Sequence, residues 1–333
     1  MRLYLVALLA VGASAGGALI GVLSSDPEGS EAPASVAATP AAAPAGTPQP
    51  PAVDDGDDAG SDRSAPRRPK PWIRPAVLRR RVEAAGHGAR VGVFVRPLGA
   101  ERGVGAGALQ SGPAWSTAKV PVIVARLRLA GGQVEDGIDS LATRALTASD
   151  NEAAQELFDQ ISARQGGTEQ ASRYVTGVLR DAGDRVTAIN SRRVRPEFST
   201  FGQTAWSLAE GTRFFSALAR QCVAPRAADR RVGELMTHVV ASQRWGLGHA
   251  PTPASASVSF KGGWGPDPAG RYLVRQFGVV RTRDGAGVAV GMMAVAGDGG
   301  FSSGVAAVDR LARAVVSSVA LGRLRPAAGC GRG

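Results

Sequence analysis

Residues 272–296 read YLVRQFGVVRTRDGAGVAVGMMAVA, two strand-like runs, Tyr272–Thr282 and the almost wholly apolar Gly287–Ala296, joined by Arg283-Asp284-Gly285. An Asp-Gly pair between two such runs is a hairpin signal. Working outward, Ser255–Lys261 alternates as a strand does. Ser302–Leu321 follows the hairpin as an amphipathic helix, with Val305, Val308, Leu311, Val315 and Val319 inward and Gly322 as its stop. Near the other end, Pro75–Ala85 reads as a helix with Val77, Leu78 and Val82 on one face, and Arg90–Val95 as a strand carrying Val91, Val93 and Val95. A strand pair then leads to Ser116. From there the pattern is helical: 117–130, with Pro121 in the opening turns where a missing N–H is tolerated, then 139–148, 152–163, 168–181, 204–220 and 228–241. That order predicts an α/β (α+β) fold, an antiparallel sheet built from both chain ends and flanked by helices, with an all-helical subdomain beside it. No internal repeat is present.

Only three lysines occur in 333 residues, and two of them, Lys119 and Lys261, stand inside short motifs: Ser116-Thr-Ala-Lys119 and Lys261-Gly262-Gly263. Arginine supplies nearly all the other positive charge. A lysine retained against that background marks a place where an amine that can lose its proton is wanted and guanidinium cannot substitute. Asparagine is as scarce, and Asn151 completes a third motif, Ser149-Asp150-Asn151. Each motif alone is common in turns and helix caps, but all three in this order predict one acyl-transfer site.

Ser116 precedes a helix whose first turn would aim free N–H groups at its oxygen. Lys119, one turn on and held among apolar groups, loses part of its affinity for a proton and can take one from the serine. Ser149 would pass a proton between Lys119 and a leaving nitrogen, Asn151 would orient Lys119 and a substrate amide, and Asp150 would fix the turn. Lys261, at a strand end, would supply charge for a substrate carboxylate and hold the proton chain. Gly262 and Gly263 would let substrate backbone approach, and the N–H groups of Ser116 and Trp264 would form an oxyanion hole.

The 44% hydrophobic content supports a packed core. The net charge of +11 comes from scattered arginines without interleaved aromatics, which argues against nucleic acid as a partner. Arg2 and the apolar run 3–23 give residues 1–25 the form of an export signal or an uncleaved membrane anchor. Residues 26–71, rich in Ala, Pro, Ser and Asp, read as a disordered linker; the folded part is expected over 72–322 and a tail over 323–333. The expected location is therefore extracytoplasmic, either secreted or tethered to the outer face of the cell membrane. Cys222 and Cys330 suit an oxidising compartment, where a bridge would pin the tail and contribute about 4 kcal/mol. The bland alternative is a buried thiol and a loose one. His87, His238 and His249 stand in no catalytic pattern, no metal-ligand spacing occurs and no cofactor is expected.

At the three motifs the chain resembles the penicillin-recognising serine hydrolases, and most closely class A β-lactamases. The resemblance covers roughly 72–321 and implies a β-lactamase/transpeptidase-like fold, no cofactor, and a β-lactam or peptidoglycan-peptide substrate handled by a monomer. Three departures stand out. The interval from Ser116 to Ser149 is short. Lys261-Gly262-Gly263 replaces a Lys-Thr-Gly or Lys-Ser-Gly, removing a hydroxyl that helps bind the substrate carboxylate. Residues 188–201, which resemble the omega loop, put Arg193 where the deacylating glutamate is expected, with Glu197 as the nearest acid but out of register. The implied function is a serine hydrolase that opens β-lactam amides through an acyl-serine and lacks the group that activates hydrolytic water. A D-alanyl-D-alanine peptidase and a non-catalytic wall-peptide or antibiotic-binding module are the competing readings.

Overall fold

The computed structural model describes residues 70–330. The signal or anchor expected at 1–25 and nearly all of the linker expected at 26–71 lie outside them. Eight helices are described: α1 (Pro75–Ala85), α2 (Lys119–Leu129), α3 (Asp136–Thr147), α4 (Asn151–Gln165), α5 (Thr168–Asp181), α6 (Leu208–Ala219), α7 (Arg226–Leu235) and α8 (Phe301–Val316). The strands are β1 (Ala89–Pro97), β2 (Val104–Gly107), β3 (Ser111–Pro113), β4 (Ala205–Ser207), β5 (Ala256–Pro266), β6 (Tyr272–Thr282) and β7 (Gly287–Ala296). Five of them form an antiparallel sheet in the order β2-β1-β7-β6-β5, so both chain ends contribute to one sheet, as the sequence predicts. β3 and β4 pair separately.

β7 shows why its sequence is almost continuously apolar. Val288, Val290, Met292 and Ala294 pack on the face covered by α1 and α8, whereas Ala289 and Met293 face the helical block with Phe277 and Val279 of β6. A strand covered on both faces has no polar positions to spare. At the centre of the helical block runs α2, in which every residue from Lys119 to Leu127 is buried. A helix apolar all round belongs inside a protein, and its first residue is a lysine.

Three expected helices differ from those observed by four residues or more at one end, each for a tertiary reason. The segment expected to be helical from 204 begins as β4, because Ala205–Ser207 pairs with Ser111–Pro113 and Leu208 N donates to Gln110 O. The helix expected to reach 241 stops at Leu235, where the chain turns across to the sheet: Met236 O accepts from Phe260 N and Val240 N donates to Thr147 O. The helix expected to reach 321 stops at Val316, and Val319 instead bridges Ile73. No helix among the described residues is long and apolar enough to cross a membrane.

Cys222 and Cys330 are joined as a disulfide, which holds the tail against the turn after α6. Arg220 reinforces that attachment, its Nε donating to Ala328 O at 2.8 Å.

Candidate active site

Ser116 sits in a single 3-10 turn, Trp115–Ala118, that runs directly into α2. The turn is anchored from behind by Arg275 on β6. Its buried guanidinium donates to Gly112 O and Pro113 O at 2.9 Å and to Trp206 O at 3.2 Å, tying β3 and β4 to the large sheet. From the front the turn leans on β5, the sheet edge. Lys261, Gly263 and Gly265 share one face of that strand. A Cβ on Gly263 would lie 3.0 Å from Ser116 N, Thr117 N and Ala114 O, and one on Gly265 would lie 2.5 Å from the Trp115 indole. Glycine at these two positions is what lets the nucleophile's backbone lie against the strand.

Two non-glycine residues with left-handed backbone flank the site, Trp115 (φ +47°) and Ser149 (φ +59°). Such conformations cost about 1–3 kcal/mol each and persist only where the surroundings impose them. Around Trp115 the surroundings are Gly265 and the Phe198 ring, 4.9 Å away edge-on. Around Ser149 they are the N-terminus of α4, where Asp150 Oδ1 accepts from Ala153 N at 3.0 Å and Oδ2 from Arg144 Nε at 2.8 Å. The expected turn-fixing role of Asp150 thus has a matching geometry.

Ser149 is the junction of the site. Its Oγ lies 3.2 Å from Lys119 Nζ and 2.8 Å from Lys261 Nζ. Lys119 Nζ also donates to Ser149 O at 2.5 Å and to Asn151 Oδ1 at 2.7 Å, while Lys261 Nζ donates to Gly262 O at 2.9 Å. Two lysines, 2% and 1% exposed, thus converge on one hydroxyl, and no carboxylate among the described residues is bonded to either. Burial pulls the Lys119 amine down to about 7, with Asp150 partly opposing. Burial, and secondarily the charge of Lys119, pushes Lys261 well below the usual lysine range. Lys119 Nζ thus has three oxygen partners, Ser149 O, Ser149 Oγ and Asn151 Oδ1. The Lys119 amine is therefore turned to the Ser149–Asn151 turn, and Ser116 Oγ makes no hydrogen bond among the described residues.

Ser116, Lys119, Ser149, Asn151 and Trp264 line one cleft of about 580 Å³, together with Glu152, Arg193, Glu197, Phe198, Gln243 and Tyr272. Lys261 and Gly263 are not among the lining residues: Lys261 is buried behind Ser149 and Gly263 lies against the backbone of the 3-10 turn. Trp264 projects to the α8 side of β5, its ring against Trp245 and Phe301 at 6.3 and 5.2 Å.

The loop 184–204 closes one side of the cleft. At its start the buried Asp184 accepts from Thr187 N and from Trp206 Nε1, both at 2.9 Å. Gln203 folds back to accept from Arg195 N at 2.8 Å and to donate to Arg195 O at 3.0 Å. Arg195 in turn donates to Pro266 O, covers the Phe198 ring at 4.4 Å and holds Glu197 Oε1 at 3.0 Å. The backbone N–H of Glu197 itself and then Arg195 keep the Glu197 carboxyl below its ordinary range, so it stays an ion-paired carboxylate. Arg193 lines the cleft with no carboxylate partner among the described residues. Sequence reasoning missed Arg195, Trp115 and Trp245, because nothing in their spacing signals a contact made across the fold. Among the described residues no cluster of metal-ligating side chains occurs.

No family model matches the sequence, and no curated protein matches it. Solved structures do. A β-lactamase from Desulfarculus baarsii aligns with a TM-score of 0.59 at 18% identity, covering 74% of this chain and 98% of that one. A putative class A β-lactamase, PenP, from Rhodopseudomonas palustris aligns at 0.57 and 20% identity, covering 73% and 99%. A mutant of PBP-A, in an acyl-enzyme complex with penicillin G, aligns at 0.56 and 18% identity, covering 74% and 98%. Such coverage of both partners establishes that this chain has the fold of class A β-lactamases and PBP-like proteins.

Proposed function

We propose that the chain is a β-lactamase-like serine hydrolase that forms an acyl-ester at Ser116 and releases it slowly. The observation that carries this reading is the Ser149 hydroxyl shared by two buried lysine amines beside Ser116. Ser116 Oγ attacks the carbonyl carbon of a strained amide while its proton passes to the Lys119 amine. The N–H groups of Ser116 and Trp264 are set to receive the developing oxyanion. Collapse breaks the C–N bond, and the departing nitrogen takes its proton from Ser149, which is resupplied by the lysine pair. Deacylation needs a base for water, and the loop offers Arg193 and a Glu197 already held by Arg195. The disulfide supports an extracytoplasmic location.

Incubation with benzylpenicillin followed by intact-mass spectrometry should show one adduct per chain, mapped to the Ser116 peptide and absent in Ser116→Ala. No adduct together with no turnover would refute the reading. Arg193→Glu should shorten the lifetime of the adduct by about 100-fold, the order contributed by a positioned general base. An unchanged lifetime in time-resolved mass spectra would show that a carboxylate at 193 cannot reach the hydrolytic water.

A further inference from the structure

Charge is divided unevenly over the folded body. Residues 135–181, which carry α3, α4 and α5, hold nine acids against four arginines, whereas residues 70–85 and 301–325, which carry α1, α8 and the segment after it, hold nine cations against two acids. These last two stretches form one surface. Arg81 Nη1 donates to Ser317 Oγ at 3.1 Å, Arg310 Nε to Ala85 O at 2.9 Å and Arg323 Nη1 to Pro71 O at 3.1 Å, tying α1 to the C-terminal half of α8 and to the chain beyond it. Their partners are hydroxyls and carbonyls, so the guanidinium charges are not neutralised. Beside them Arg74, Arg79, Arg80, Arg313 and Arg325 are exposed, and their side chains have neither a hydrogen bond nor an ion pair among the described residues. Of the two acids, Asp309 is committed elsewhere, accepting from Gly246 N and lying 3.1 Å from His249 Nδ1. Like charges gathered on one face raise its potential and draw an extended anionic partner.

The position of this face narrows the partner. α1 lies over β1 and β2, at the end of the sheet opposite β5. The cleft opens at β5, with Trp264, Gly265 and Pro266 in its lining, so a partner on the basic face leaves it free. The chain also enters the body here, where Trp72 O accepts from Ala320 N at 2.8 Å. The apolar run 3–23 precedes that point in the sequence, across the linker 26–71. The large apolar side chains exposed among the described residues, Val186, Val194 and Val240, lie on neither α1 nor α8. The face offers charge without an apolar wedge, which suits a headgroup layer and not insertion into hydrocarbon.

We infer that the α1–α8 face docks peripherally on an anionic phospholipid surface, holding the body with its cleft turned away from the membrane.

Arginine footprinting on the full chain tests this. Phenylglyoxal labelling, read residue by residue by mass spectrometry, is compared on vesicles of phosphatidylcholine alone and with about 30% phosphatidylglycerol, in about 0.1 M salt. Insertion of the apolar run 3–23 into either vesicle leaves that contrast unchanged. On the anionic vesicles Arg79, Arg80 and Arg313 should label at least about threefold more slowly, while Arg164, Arg185 and Arg230, exposed on α4, the 184–204 loop and α7, keep their rates. The protection should vanish at about 1 M salt, where the screening length falls to about 3 Å. Equal labelling on the two vesicles would overturn the inference. So would protection spread evenly over all six arginines, which would mean attraction of the net charge of +11 alone. Protection by soluble polyphosphate but not by vesicles would assign the face to a wall polyanion and overturn the membrane as partner. In the triple variant Arg79→Gln, Arg80→Gln, Arg313→Gln, the protection of Arg74 and Arg325 should fall by at least about half. The matched triple Arg164→Gln, Arg185→Gln, Arg230→Gln removes as much charge and should leave it intact; the reverse result would count against this face.

Discussion

Lys119→Arg should abolish acyl-enzyme formation on the minutes timescale, a loss of about 10²–10⁴ in rate for removing a positioned base, although it preserves positive charge. Guanidinium stays protonated in proteins, so it cannot take the serine proton, and its planar fork does not fit between Ser149 O and Asn151 Oδ1. The wild-type protein should show the same chemistry in its pH profile. Because the amine must be neutral to act and is pulled down to about 7 by burial, acylation should rise tenfold per pH unit below about 7 and level off above it. Stopped-flow acylation by a chromogenic cephalosporin from pH 5 to 9 checks this, and a flat profile would remove Lys119 from the role of base. Stability should move in the same direction. A lysine whose affinity for protons is lower in the folded than in the unfolded state makes folding more favourable as pH rises from about 7 toward 10, since the unfolded chain holds more protons there. Lys119→Met should accordingly raise the melting temperature at pH 6 while eliminating acylation, a trade of stability for function.

Arg275→Met should be the most damaging single change remote from the reacting atoms. The guanidinium is fully buried, faces three backbone carbonyls, stacks on the Phe277 ring at 4.8 Å and has no carboxylate partner among the described residues; burial alone lowers it to about 9. Methionine fills much of the volume but leaves Gly112, Pro113 and Trp206 carbonyls buried without donors. At roughly 1–3 kcal/mol for an unsatisfied group, the loss should be at least about 3 kcal/mol. For a domain of this size that is a fall in melting temperature of about 6–12 °C. Acylation should fall as well, because Pro113 leads directly to the turn carrying Ser116. Differential scanning calorimetry and the adduct assay measure the two effects. Arg275→Lys should rescue little, since one ammonium cannot span three acceptors. A variant that melts within 2 °C of wild type would show that the three carbonyls find other partners.

Elements whose own pattern is strong were legible in the sequence. α1, α5, β6 and β7 span the residues their periodicity and turn signals indicate. Boundaries set by a partner elsewhere were not: nothing in residues 204–207 shows that they will pair with Ser111–Pro113, and nothing in 236–241 shows that Met236 O will meet Phe260 N. The site divides along the same line. Ser116, Lys119, Ser149, Asn151 and Lys261 stand out because the chain spends lysine and asparagine so sparingly. Sequence cannot show that Gly262 is empty because Trp245 is full, or that Glu197 is unavailable because Arg195 holds it to the loop that reaches Pro266, since both are distances across the fold.

The scarcity of lysine has a practical side. Of the three side-chain amines, two are buried at the cleft and only Lys70, at the very start of the described residues, is exposed. Succinimidyl dyes, amine cross-linkers and aldehyde fixatives therefore find almost no footing on the folded body, and a lysine-directed endoprotease has no surface site within it beyond that first residue. Reagents that attach through guanidinium, carboxylate or a genetically placed thiol are the ones suited to immobilising this protein without touching its chemistry.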